Sequence, residues 1–516
     1  MPVRTLTLDV TKMAAAQWVV ASLSAENMIL QTTLVLLAVF VVTRWYLSTP
    51  KNLPPGPRGW PVVGNMFSLT SETRCLTVTE WAKTYGPVYQ MRVGRQRVVV
   101  LNGYDVIYEA LVKRAEDFST RQFGPTTRII NPQQLGIIQA PFGTPWKEHR
   151  KFTLMSLREF GFGKRSLEGK ILEESVALQT EIMKIGNGPF DIGRMIQNAV
   201  TNVICSIVFG SRWEYNDEKF TRLMDTLDRG FSFNFASQLA IFFPVLRFVP
   251  GLGKGLDVAR NVVDTIKSYI KEEIDDHKKT FVPNDIRDLI DSYIKEMKSR
   301  ENEEETTFTD DYAEMVLFDL FIAGAETTST TLYWAFLHMI LNPDIQAKVQ
   351  AEIHSVLGHD KPPSTAHRAQ MPYTEAVLTE VARIGTILPN SVIHATSRDT
   401  SFRGYHIPGN TTVLPNIWSV HHDPKHFPNP GKFDPGRFLD AQGQYQRDDH
   451  VIPFSLGPRM CLGKQLAEME LFVFFTSLLQ HFTFKLPEGA PTPSTRGIHG
   501  ITHSPKKYEL IAEPLT

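Results

Sequence analysis

Apolar and polar positions follow three different rhythms along this chain. From Asn27 to Thr43 there is no charge, and Met28 to Val42 is mostly apolar. That run reaches the shorter end of the length needed to span a bilayer, with Trp45 and Tyr46 as interfacial anchors. Leu53-Pro54-Pro55-Gly56-Pro57 follows, and stacked prolines predict a stiff extended connector. Val88 to Leu101 then alternates around Gly94-Arg95 and predicts a hairpin. From Tyr104 to His354 most apolar residues recur at helical spacing, with breaks near Gly124-Pro125, Asn187-Gly188-Pro189 and Pro250-Gly251. The longest such pattern runs from Asp311 to Leu341. After Pro389 the pattern turns to short strands and proline-rich loops until a helix that follows Cys461. The expectation is a mainly α fold with a small β portion.

Composition changes this picture little. The chain has 516 residues and a formal net charge of −1, which gives no reason to expect nucleic acid as a partner. Length alone suggests roughly two to four ordinary domains. Cys75, Cys205 and Cys461 are far apart and odd in number, so they predict neither a disulfide framework nor a metal cluster. Arg44, Lys51 and Arg58 follow the apolar segment while Glu26 precedes it, a bias that predicts a cytosolic body and a lumenal N-terminus. Gly251-Leu-Gly253-Lys-Gly255 follows no strand and is rejected as a phosphate loop. His421, His422 and His426 are rejected as a zinc site, because Pro424 and Pro428 disrupt the helix that would align them.

Cys461 is the residue with the clearest chemistry. It lies in Phe454-Ser-Leu-Gly457-Pro-Arg459-Met-Cys461-Leu-Gly463, just ahead of a helix start, where the helix dipole favours a thiolate. Such a thiolate is a soft ligand for an iron with one open face. Gly457 and Gly463 leave bare backbone for a large flat cofactor, Phe454 can shield the sulfur, and Arg459 can pair with an acid group on that cofactor. Within the long helical pattern, Ala323-Gly324-Ala325-Glu326-Thr327-Thr328 places a glycine and polar residues where a helix gains nothing from them, which points to a bend or a ligand.

These two motifs together resemble the cytochrome P-450 family. Gly136-Ile-Ile, Trp146, Arg158 to Arg165 and Ala325 to Thr331 are most similar to its animal microsomal branch, which oxidises drugs, steroids and fatty acids. The resemblance implies a single large catalytic fold over residues 62–516, after an extension (1–26), a transmembrane anchor (27–48) and the connector (49–61). It implies haem b as cofactor and Cys461 as the iron's axial ligand. Trp146, Arg150, His394 and Arg459 would grip the propionates, and Ala323 would lie against the distal face. Bare backbone at Gly324 would admit dioxygen, Thr327 would hydrogen-bond the distal ligand, and Glu326 would relay solvent protons. Glu380 and Arg383 would lock onto Arg437 to fix the fold, although Gly436 stands where the family often has an acid.

The resemblance further implies a monooxygenase that takes electrons from an NADPH-dependent flavoprotein reductase, with cytochrome b5 as a second donor. The body would face the cytosol from the endoplasmic reticulum membrane. Lys147, His149, Arg150, Lys151 and Lys464 form the expected reductase-docking face. An apolar pocket is expected from Phe118 to Ile138, Phe231 to Phe243, the distal helix, Thr386 to Ile393 and Ile498 to Thr502, with Arg121 and Arg128 as the exceptions, read first as solvated loop residues and second as one holder of a fatty-acid carboxylate. The Phe231–Phe243 stretch is also a candidate for contact with membrane lipid. The alternative activity is a haem-thiolate isomerase or dehydratase that acts on a lipid peroxide without a reductase.

Overall fold

A computed structural model of the protein describes residues 52–70, 72–161, 165–231 and 254–515, with scattered positions between Met28 and Phe40. The extension 1–26, much of the anchor 27–48 and the stretch 232–243 lie outside the described residues. The described positions between Met28 and Phe40 are helical, and Met28, Leu30, Val35, Leu36 and Phe40 among them expose their apolar side chains. Among the described residues, no helix is long and apolar enough to cross a membrane. The chain divides into two units, Met1–Leu53 and Pro54–Thr516, so the body does not split into several ordinary domains.

That body is built mainly from helices: α1 (Arg74–Tyr85), α2 (Thr144–Glu159), α3 (Arg165–Ile185), α4 (Gly193–Val208), α5 (Glu218–Phe231) and α6 (Lys254–Thr280). They are followed by α7 (Leu289–Ser299), α8 (Asp310–Leu341), α9 (Pro343–Leu357), α10 (Pro372–Gly385) and α11 (Lys464–His481). The expected hairpin is present as β1 (Val88–Val93) and β2 (Gln96–Asn102), paired from Val88↔Leu101 to Val93↔Gln96, with Gly94 at a φ of 59°. With β3 (His394–Ala395) and β4 (Thr412–Asn416) it forms a sheet of order β1-β2-β4-β3, in which β2 and β4 run parallel.

The helix α8 is the axis of the molecule. Thr309 caps it by accepting from the Tyr312 N–H at 3.3 Å, and Pro343 opens the next helix after Asn342. Phe321, Leu332, Phe336, Leu337 and Met339 are fully buried on it, which is why its sequence lacks a polar face. Each stabilises the fold by about 1.5–3 kcal/mol. The helix is unbroken through Gly324, so the Ala323–Thr328 motif does not mark a break. A Cβ on Gly324 would lie 2.9 Å from Ile204 Cγ1 on α4. The glycine therefore permits close packing of two helices, a role the sequence reading did not give it.

Candidate functional site

A cavity of about 510 Å³ lies between one face of α8 and the loop that precedes α11. Asp319, Ala323, Gly324, Thr327 and Thr328 line it from α8, and Phe454, Arg459, Cys461 and Gly463 from the loop. Ile137, Ile138, Ile204, Ile387, Leu388 and Val392 supply apolar walls. Ile498 to Thr502 does not line it.

The cysteine loop is held in shape by its own backbone. The Cys461 N–H donates to the Phe454 carbonyl at 3.0 Å. Gly457 has a φ of 74° and packs so tightly on the Leu111 carbonyl that a Cβ would overlap it. The Cys461 side chain is exposed to the cavity yet lies deep in the fold, and burial pushes its thiol pKa up. A Gly463 N–H and the nearby Arg150 oppose that shift. A thiol so placed becomes a stable anion when a cation is set against the sulfur.

Three guanidiniums gather beside it. Arg459 donates to the carbonyls of Ser119, Ile137 and Ala140 at 2.8, 3.0 and 2.6 Å. Arg121 donates to those of Ile138, Val392 and Ile393, each at 2.9 Å, and Arg150 to that of Met460. Among the described residues none of the three has an ion-pair partner. Burial and mutual repulsion push Arg459 down to about 8 and Arg121 down to about 9. Arg121 is thus an interior residue rather than a solvated loop arginine, because three carbonyls can receive its N–H groups there. Arg128 does stay outside, over the Phe123 ring.

An acidic group set among these cations would relieve their repulsion, and a soft metal would take up the thiol. The donor set, the unmatched charge and the apolar walls together fit an iron porphyrin with two carboxylate arms. Trp146 and His394, the other expected propionate contacts, lie next to this cluster. The Trp146 indole N–H donates to the Ile137 carbonyl at 3.0 Å, and its ring stacks under Arg459 at 4.0 Å and Arg150 at 5.5 Å. His394 Nδ1 bonds the Phe118 carbonyl at 2.7 Å, and burial keeps the ring neutral. Trp146 thus backs the arginine cluster, and His394 is buried beside it.

On α8, the Thr327 hydroxyl donates to the Ala323 carbonyl at 2.8 Å. Glu326 points away from the cavity lining. It accepts from Thr502, Thr330 and Gln197 at 3.1, 3.3 and 3.3 Å, and burial raises it to about 7. Gln197 also donates to Asp228, half-exposed at 50%, which joins Glu326 to the surface. Two buried acids were missed. Asp319 accepts from the Ile137 and Ile138 N–H groups at 2.7 and 2.8 Å, and Glu470 on α11 accepts from Thr328. Burial raises them to about 7 and about 8. Asp319 stands inside a long apolar run and Glu470 directly ahead of one, which is the signal that would have revealed them.

The expected docking face is smaller than the sequence suggests. Trp146, His149 and Arg150 lie on the inner side of α2, and His149 stacks on Tyr312 at 3.4 Å. Lys147 and Lys151 remain outside, one turn apart, and Lys464 approaches Glu468 at 3.8 Å. Glu380, Arg383 and Arg437 do come together. Arg383 bonds Glu380 at 2.6 and 2.7 Å, and Arg437 Nε lies 3.5 Å from Glu380 Oε1.

A profile of the cytochrome P450 family matches residues 54–512. The chain is 42% identical to human cytochrome P450 2J2, over 97% of this chain and 98% of that one. It is 39% identical to human cytochrome P450 2U1, over 89% of both. To rat cytochrome P450 2C23 it is 41% identical, over 94% of this chain and 97% of the relative.

Proposed function

Because the chain belongs to the cytochrome P450 family and is a haem b monooxygenase, we propose that it oxidises a lipophilic small molecule at the endoplasmic reticulum membrane, with electrons from an NADPH-dependent flavoprotein reductase. The observation that carries this reading is the cavity itself, with the Cys461 thiol on one wall, Thr327 on the other and aliphatic side chains between. Haem b held there would supply the redox chemistry of a monooxygenase, with dioxygen as oxidant and the reductase as electron source.

The chain's own residues do the rest. Cys461 would hold the iron through its sulfur, with Phe454 and the bare backbone of Gly463 beside it on the cavity wall. Arg459, Arg121 and Arg150 hold the two carboxylates of the cofactor, with Trp146 and His394 fixing their surroundings. Ala323 and Thr327 present the distal face, and the Thr327 hydroxyl can turn from its own helix carbonyl towards the cavity. Glu326, with its pKa raised to about 7, can itself take up and release a proton, and Gln197 holds it by donating to both Glu326 and the half-exposed Asp228. Aliphatic walls exclude water and favour steroid-, fatty-acid- or drug-like substrates.

The exposed apolar side chains between Met28 and Phe40 suit an anchor in lipid, and Lys147 with Lys151 is the basic pair that an acidic reductase would meet, cytochrome b5 being a second candidate for the same face. The isomerase alternative needs no proton supply, so it leaves the Glu326–Gln197–Asp228 connection without work. The deciding measurement is NADPH-dependent oxygen uptake on addition of each substrate class, alongside the reduced carbon-monoxide difference spectrum. Cys461→Ala should lose the thiolate-type band. A band that persists, or product formed without oxygen uptake, would overturn this reading.

A further inference from the structure

Two loops remote in sequence bring His426, Asp448 and His450 together, with one ligand-type atom of each within 4.8 Å of the others. His426 Nε2 lies 2.6 Å from Asp448 Oδ2, and His450 Nδ1 lies 3.2 Å from Asp448 Oδ1. The two imidazoles stack at 3.7 Å between centroids, and Tyr104 backs His450 at 4.4 Å. Each ring thus turns one nitrogen to the same carboxylate. The three side chains remain 34%, 27% and 36% exposed, so a hydrated ion can reach them.

The surroundings hold this arrangement. Asp448 Oδ1 also accepts the His450 backbone N–H at 2.8 Å, which fixes the turn that carries both residues. His426 sits in a turn closed by the Phe427 N–H on the Asp423 carbonyl at 2.8 Å. The two loops are joined by the Ile452 N–H, which donates to His421 Nε2 at 2.8 Å. His421 is fixed in turn by Arg383, which donates to its carbonyl at 2.7 Å. His421 and His422 are therefore not ligands: the first receives that N–H, and the second stacks on Trp418. The other group of this kind among the described residues, His277, Asp288 and Asp291, is committed otherwise. Asp288 caps α7 and Asp291 is clasped by Arg287.

We propose that His426, Asp448 and His450 form a site for a borderline divalent transition ion such as zinc, with water completing the coordination. Two neutral imidazoles and one carboxylate are the ligands that such ions prefer over magnesium. Ligand atoms about 3.3 Å apart are what bonds of about 2.0–2.1 Å at tetrahedral angles require, so the Nε2–Oδ2 pair need open by less than an ångström. The bound ion would clamp the loop leading into Pro453-Phe454 to the loop held by α10.

The test uses the haem-loaded protein with its iron as internal standard. After dialysis against about 10 µM free zinc, elemental analysis should give about one zinc per iron, with a raised Tm. Magnesium should give neither. His450→Phe keeps the stack on Tyr104, and Asp448→Asn keeps the shape of the carboxylate. Each should weaken zinc binding at least tenfold while the haem spectrum is unchanged. A wild-type protein that retains no zinc overturns the proposal, as do two variants that both bind zinc as tightly as the wild type.

Discussion

Two clusters of buried arginine in this protein use the same group to opposite ends. Around Glu380, the Arg383 and Arg437 guanidiniums share one carboxylate and further carbonyls from His421, Pro430 and Asn429. Around Trp146, Arg121, Arg150 and Arg459 have carbonyls and an aromatic face but, among the described residues, no acid within an ion pair, Asp319 acting on Arg121 and Arg459 only from further off. The first cluster is electrically closed and belongs to the fold. The second carries unmatched positive charge and is completed only by something that enters. A buried charge without its counter-charge is thus the mark of a binding site here, while a buried charge with its counter-charge marks a clasp.

The largest effect should come from opening the closed cluster. Glu380→Gln strands two guanidiniums, and the cost should be about 3–5 kcal/mol, read as a lower denaturant midpoint and little protein with a carbon-monoxide band. Arg459→Leu should weigh on the cofactor more than on the fold. Relief of repulsion among three cations offsets part of the cost of the three carbonyls left without a donor, so the haem-free chain should lose less stability than with Glu380→Gln, while haem transfer to an apoglobin acceptor quickens about tenfold to a hundredfold. If Arg459→Leu instead destabilises the haem-free chain as much as Glu380→Gln does, the contrast fails.

The comparison extends to a buried acid with no cation. Glu470 is raised from the usual carboxyl range to about 8. A raised folded-state pKa means that its contribution is complete below about pH 4.5 and is lost as pH rises towards 8. Glu470→Gln should therefore flatten the fall in stability between pH 5 and pH 8, measured by denaturant unfolding of the holoprotein. The smallest effect should be that of Trp146→Phe, which removes one N–H bond and costs about 1 kcal/mol. It should also loosen the haem less than Arg459→Leu does.

What the sequence made legible was local. The hairpin around Gly94-Arg95, the limits of α8 and the cysteine loop each depend on residues close together in the chain, and periodicity, turn chemistry and motif spacing report these directly. The interior charges were different. Nothing near Arg121 in sequence says that carbonyls from residues 138, 392 and 393 will surround it. The basic run from Lys147 to Lys151 misled for a related reason, since helical periodicity turns His149 and Arg150 inward. Gly324 lines the cavity as its motif suggested, but its second contact, with Ile204 on α4, could not be read from spacing. His426 could not be joined to Asp448 and His450 by spacing, because a separate contact at Ile452 brings the two loops together.

A hydrogen bond from Thr328 to Glu470 links α8 to α11, two helices that both line the cavity. It lies inside the protein and owes nothing to any occupant. The gap between the two walls is therefore gauged before a cofactor arrives, as the jaws of a vice are set before the workpiece. Differences in guest size must then be absorbed by the aliphatic flank at Ile387, Leu388 and Val392.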